Sequence, residues 1–200
     1  MNCNPIPWTR QISLLLPVLL TAVVVSGCAF GDRKIALRYQ PAVSAAGGTG
    51  QKVAVVKFVD RRDKQEVGEV RNGYGMKTAT VYAQGQDVGA WVANALSDEL
   101  TRAGFAVQKF NDAAPPEITI VITGFVPEAY IKMSMQERCT IRASITVQKS
   151  GVVVLNKEYQ GDFKKLAWTA STGEYETAMQ RALQELMKKA VPEIVAAIKQ

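Results

Sequence analysis

The sequence predicts an α+β domain, a mainly antiparallel sheet with two amphipathic helices packed on one face. Three observations carry that expectation. Apolar residues recur at spacings of three and four in two segments, one after Asp87 and one after Ser171. From Ile131 to Gln148, apolar and polar residues alternate with a single break at Glu137, the period of a strand with one wet face. The helical segments are separated by several strand-like runs, with no repeat anywhere in the chain.

Taken in order, residues 52–60 (KVAVVKFVD) form a β-branched run and read as a buried strand. A charged, glycine-containing insert follows, with a turn expected at Arg71–Gly75 and a short strand at Lys77–Ala83. Asp87 is a good N-cap, because its carboxylate can accept from the free N–H groups of the first helical turn. Val88, Trp91, Val92, Ala95, Leu96, Leu100 and Ala103 form one apolar stripe, and Gly104 closes the helix. Residues 105–110 (FAVQKF) read as a strand and 111–116 as a loop. Residues 117–126 (EITIVITGFV) read as a strand stopped by Pro127. The run 131–148 is one long strand, or two with a bend near Glu137. Lys149-Ser150-Gly151 is a turn, and VVVLNKEYQGDF returns from it as the second arm of a hairpin. Ser171 and Glu174 make a capping box for the second helix, in which Pro192 is expected to kink or end the regular part.

Composition narrows the chemistry. Of 200 residues, 48% are hydrophobic and 21% charged, an ordinary globular balance. Histidine is absent, which excludes Ser-His-Asp triads, Cys-His dyads and HExxH zinc sites. Cys3, Cys28 and Cys139 lie far apart without a CxxC pair, so a Cys/His zinc site is excluded as well. Cys139 falls on the apolar face of its strand and reads as a small core residue. The net charge of +6 is mild and spread along the chain, which argues against a nucleic-acid partner.

The first 27 residues read as a leader. Residues 14–25 (LLLPVLLTAVVV) are apolar but too short for a membrane-spanning helix of ~20 residues, and Pro17 lies inside them. The run ends at Val25-Ser26-Gly27-Cys28. This resembles a bacterial lipobox, an aliphatic residue and two small residues before a cysteine, with cleavage between Gly27 and Cys28. The resemblance implies a diacylglyceryl group on the Cys28 thiol and an acyl group on its new N-terminus, with no other cofactor. Three acyl chains hold firmly where one holds marginally. Ala29, in place of the aspartate that retains enteric-type lipoproteins at the inner membrane, points to the outer membrane. The expected division is therefore signal peptide 1–27, lipidated N-terminus and flexible tether 28–51, and one periplasm-facing α+β domain 52–200. Within the tether, alternation at Ile35, Leu37 and Tyr39 leaves a short edge strand open as the alternative to a mobile linker.

The lipobox VSGC, the strand VKFVDRR, the insert EVGEVRNGYG, the helix end LSDELTRAGFAV, the hairpin and the final helix together resemble the YajG-like outer-membrane lipoproteins. The likeness spans nearly all of residues 28–190. It implies a membrane-tethered periplasmic domain with no established activity. The lipopolysaccharide-assembly lipoprotein LptE and the auxiliary lipoproteins of envelope lipid transporters share the general plan, so a lipid- or glycolipid-handling role is the alternative. The expected function is a non-catalytic interaction or structural module of the cell envelope. Its candidate partner contacts lie in the insert: Asp60, Arg61 and Arg62, with Tyr74 as an exposed aromatic anchor between Gly73 and Gly75. Five basic and four acidic residues are mixed between Lys57 and Arg71, which suits neither phosphate binding nor a metal. Trp91 and Trp168 read as packing residues.

Overall fold

The computed structural model describes residues 31–166 and 171–200; the lipobox, Cys28 and Trp168 lie outside them. The strands are β1 (Arg33–Ile35), β2 (Lys52–Val56), β3 (Val59–Asp60), β4 (Gly68–Arg71) and β5 (Lys77–Ala83). Helix α1 (Val88–Arg102) follows, then β6 (Ala106–Phe110), β7 (Ile120–Met133), β8 (Gln136–Lys149), β9 (Val152–Leu166) and α2 (Thr172–Lys199). The fold is α+β, as the sequence predicts, and the long antiparallel ladders β7–β8 and β8–β9 carry most of the paired residues.

β7 organises the sheet. One of its edges pairs with β8 along nearly its whole length. The other receives three short parallel strands in succession: β2 at Ile120–Ile122, β3 at Phe125–Val126 and β4 at Ile131–Met133. β6 extends the sheet beyond β2, and β5 then β1 extend it beyond β4. The helices pack against the sheet and against each other. Between them and the strands, Leu96, Leu100, Ile122, Ile141, Ile145, Met179, Leu183 and Leu186 are fully buried in one core.

β7 does not stop at Pro127. The register with β8 shifts between Phe125 and Glu128, so two residues of β7 oppose one of β8. This bulge accommodates a residue without an N–H. It also switches phase: Ile120, Ile122 and Val126 face the core before it, and Ala129, Ile131 and Met133 after it. The run 131–148 is two strands joined by a tight turn at Ser134-Met135. Met133 pairs with Glu137 across that turn, so odd-numbered residues face inward on both sides and the alternation passes through unbroken. Pro192 does not end α2, which continues to Lys199. Ala190, Val191, Ile194 and Val195 around it are buried, and that packing outweighs the lost helical hydrogen bond.

The expected caps are present. Asp87 Oδ1 accepts from Ala90 N at 2.8 Å, and Asp87 also pairs with Lys57 at 2.7 Å. Ser171 and Glu174 form the reciprocal capping box. Gly161 of β9 lies directly beneath α2, where a Cβ would come within 2.0 Å of the Ala182 carbonyl oxygen.

The domain begins earlier than residue 52. β1 pairs with β5, the alternative the sequence left open, and Ile35, Leu37 and Val43 are buried. Glu99, itself buried in α1, accepts from the Tyr39 hydroxyl and from Ala42 N at 2.7 Å and Val43 N at 3.2 Å. Glu176 of α2 accepts from Ala36 N, and Gln184 donates to the Gln40 carbonyl. Gly47 and Gly48 donate to the Ala103 carbonyl at the end of α1, and Gly48 is so close to Gly104 that a Cβ would lie 2.3 Å from its carbonyl carbon. Residues 36–50 form no strand or helix of their own; acceptors from distant elements satisfy their N–H groups instead. The compact unit runs from Asp32 to Gln200.

Candidate functional site

The bulge in β7 and the start of the charged insert face each other across a groove of about 370 Å³. Arg62, Asp63, Lys64 and Glu66 form one wall, and Pro127, Glu128, Tyr130 and Arg142 the other. β3 sets the geometry, because Arg61 N continues its pairing by donating to the Val126 carbonyl at 3.0 Å. Asp60 and Arg62 then point to the same side and close a fork, with Arg62 Nε and Nη2 donating to the two Asp60 oxygens at 2.9 and 2.8 Å. Arg62 Nη1 also donates to the Glu66 carbonyl at 3.1 Å. The Asp-x-Arg pattern is thus a clip that folds the insert back on itself, a geometry suited to the planar guanidinium. The Arg62 side chain is one-tenth exposed, leaving little of it for a partner.

Arg61 lies over the Phe125 ring at 4.4 Å, and Lys64 over the Tyr130 ring at 5.0 Å. Glu128 pairs with Arg142 at 3.2 Å across the β7–β8 ladder. Burial and the neighbouring Glu69 carboxylate push the Tyr130 hydroxyl up to about 12. Arg71, hydrogen-bonded to Glu69, holds that carboxyl below its ordinary range, with Lys132 a weaker helper at 3.9 Å. The groove therefore offers three cations and three carboxylates around one aromatic ring, Tyr130. That pattern suits a polar peptide segment better than a phosphate backbone. Among the described residues, no cluster of carboxylate and cysteine side chains is arranged to hold a metal.

Tyr74 does not join this site. It sits at the tip of the β4–β5 turn, 91% exposed, and β4 pairs with β7 near Met133 rather than near Val126. Seven residues of strand separate those levels, roughly 20 Å. Sequence proximity placed Tyr74 with Asp60 and Arg62; the parallel insertion of β4 beside the far end of β7 carries it away. Trp91 is buried, as expected. Cys139 is fully buried beside Met179, and burial pushes its thiol well up, so it is inert as a nucleophile. Glu99 and Glu137, two buried carboxyls, were not singled out from sequence. Glu137 was visible only as the break in an alternating run.

A family described as uncharacterised lipoprotein matches residues 41–198. The chain belongs to this family. None of the curated proteins matches it in sequence. A solved structure from Xanthomonas campestris, assigned to DUF330, is 13% identical and aligns over 84% of this chain and 97% of its own, with a TM-score of 0.58. An uncharacterised protein at 7% identity aligns over 82% and 97%, with a TM-score of 0.54. Lipoprotein GNA1162 from Neisseria meningitidis is 14% identical over 73% and 99%, at a TM-score of 0.39, too low to carry an argument. At these identities the likeness is one of fold.

Proposed function

We propose that the protein is a non-catalytic, lipid-anchored module of the bacterial cell envelope, of the YajG-like kind. It faces the periplasm from the outer membrane and engages another envelope protein. The observation that carries the reading is the coincidence of a lipoprotein family match over residues 41–198 with the lipobox Val25–Cys28. Cys28 holds the lipid, and no further cofactor is needed. The groove beside the Asp60–Arg62 clip, with Lys64, Tyr130 and Arg142 on its walls, is the favoured partner contact.

A role in carrying lipid or lipopolysaccharide would call for an apolar groove between helices and sheet. Fully buried side chains from Leu96 to Leu186 occupy that space, which favours the interaction module.

The test has two parts. Cys28→Ala is expected to stay at the uncleaved size with loss of the mature membrane-bound form; a mature, membrane-bound Cys28→Ala protein refutes the anchor. Crosslinking mass spectrometry of the native lipidated protein in intact cells is expected to join Lys64 to one enriched envelope protein. Crosslinks at Lys64 only to abundant bystanders would refute the groove as a partner contact.

A further inference from the structure

Several strand ends meet at one end of the sheet and share a chemistry. The β4–β5 turn carries Tyr74, 91% exposed, and Met76, 61% exposed. The β7–β8 turn carries Met135, 75% exposed, and β9 ends on Leu166, 63% exposed and paired with Gln136. Lys77, Lys132, Arg138, Lys164 and Lys165 stand exposed among them. Of the nearby carboxylates, Glu137 is buried, Glu174 is engaged in the cap of α2, Glu69 pairs with Arg71, and Glu66 and Glu69 reach Lys77 and Lys132 only at 3.8 and 3.9 Å. Large apolar side chains with an aromatic hydroxyl, set in a ring of cations, match the interfacial zone of an anionic bilayer.

The chain itself approaches from this end. β1 runs parallel to β5, and β5 starts at the turn that carries Tyr74 and Met76. Asp32, one residue before β1, accepts from Thr80 N at 2.9 Å, so it lies four residues along β5 from Met76. Only Ala29, Phe30 and Gly31 separate Asp32 from Cys28. Four peptide units span at most about 14 Å. A lipid on Cys28 therefore has almost no tether, and the part of the domain around Asp32 must lie against the membrane.

We propose that the end formed by Tyr74, Met76, Met135 and Leu166 docks on the surface of an anionic phospholipid bilayer and fixes the domain's orientation there. This rests on the anchoring of Cys28 proposed above. The opposite end also exposes Val152 and Val153, but no anchor reaches it, so it supplies a control.

The experiment uses the full lipidated protein in vesicles of phosphatidylethanolamine and phosphatidylglycerol. An environment-sensitive fluorophore is attached through Met135→Cys or, as control, Val152→Cys; the buried Cys139 does not compete. A second labelled protein carries Lys132, Arg138, Lys164 and Lys165→Gln. Flotation reports anchoring, and quenchers on the lipid chains report docking. The expected result is strong quenching at position 135 and little at 152. At roughly fivefold per basic residue near the surface, the four substitutions together should reduce the docked-to-undocked ratio by several hundredfold, and high salt should lower it as well. Co-flotation with equal quenching at 135 and 152 overturns the docking and leaves the anchor standing. Shielding of position 135 from a water-soluble quencher without lipid quenching means that a protein, including a second copy, covers this end, and also overturns it. Absence of flotation removes the anchor and the docking together.

Discussion

Glu137 faces inward on β8, under the first turn of α2, with Glu174 and Lys165 as its charged neighbours and Tyr175 and Arg33 close by. Burial first, and the Glu174 carboxylate second, push its carboxyl from the ordinary 4.5 up to about 7, with Lys165 opposing. One of its oxygens, Oε1, has no hydrogen-bond donor. The folded chain thus holds the proton more tightly than the unfolded chain. Stability from this site is fully present below about pH 4.5 and is lost as pH rises to about 7. Each unit between folded and unfolded titration is worth about 1.36 kcal/mol, so the loss between pH 5 and 8 is about 2–3 kcal/mol. The chain contains no histidine, so ordinary side-chain titrations do not obscure this window. The depressed carboxyls of Glu69 and Asp87 have completed their titration below it. Glu137→Gln removes the charge at every pH while keeping the shape. Urea unfolding followed by circular dichroism should show the wild-type protein losing stability from pH 5 to pH 8 and the variant staying nearly flat. The same pH 5–8 loss in Glu137→Gln would refute the assignment of that loss to a buried carboxyl.

Other substitutions probe the packing. Gly161→Ala forces α2 away from β9, because the new Cβ meets the Ala182 carbonyl oxygen; a loss of about 3 kcal/mol in thermal unfolding is expected, and a loss below about 1 kcal/mol would contradict the close approach. Glu99→Ala leaves the N–H groups of Ala42 and Val43 unpaired at about 2–3 kcal/mol. Its signature is faster hydrogen exchange in residues 36–50, and unchanged exchange there would show that other contacts hold the segment. Asp87→Ala removes the cap of α1 and the partner of Lys57, for about 1 kcal/mol by chemical denaturation.

Local rules made some features legible. Asp87, Ser171 and Glu174 mark helix starts through hydrogen bonds spanning three residues, and the inward face of β8 follows from a period of two. The turn at Ser134-Met135 was hidden for a specific reason: pairing of 133 with 137 preserves parity, so the pattern does not register the reversal. The bulge at Val126-Pro127 was hidden for the opposite reason, since the change of phase looks like the end of a strand. The clip between Asp60 and Arg62 is a two-residue motif whose meaning depends on β3 lying beside Phe125–Val126.

By itself the sequence determined the α+β class, the two helices with their caps, the alternating hairpin and the exclusion of histidine chemistry. All of these follow from covalent order, residue type and spacings within a few positions. Only the tertiary structure decided that Tyr74 stands apart from Arg62, that residues 33–50 belong to the domain, and that Glu99 and Glu137 are buried. Each of those depends on which distant backbone groups and side chains are brought within hydrogen-bonding or packing distance, and no local pattern encodes that.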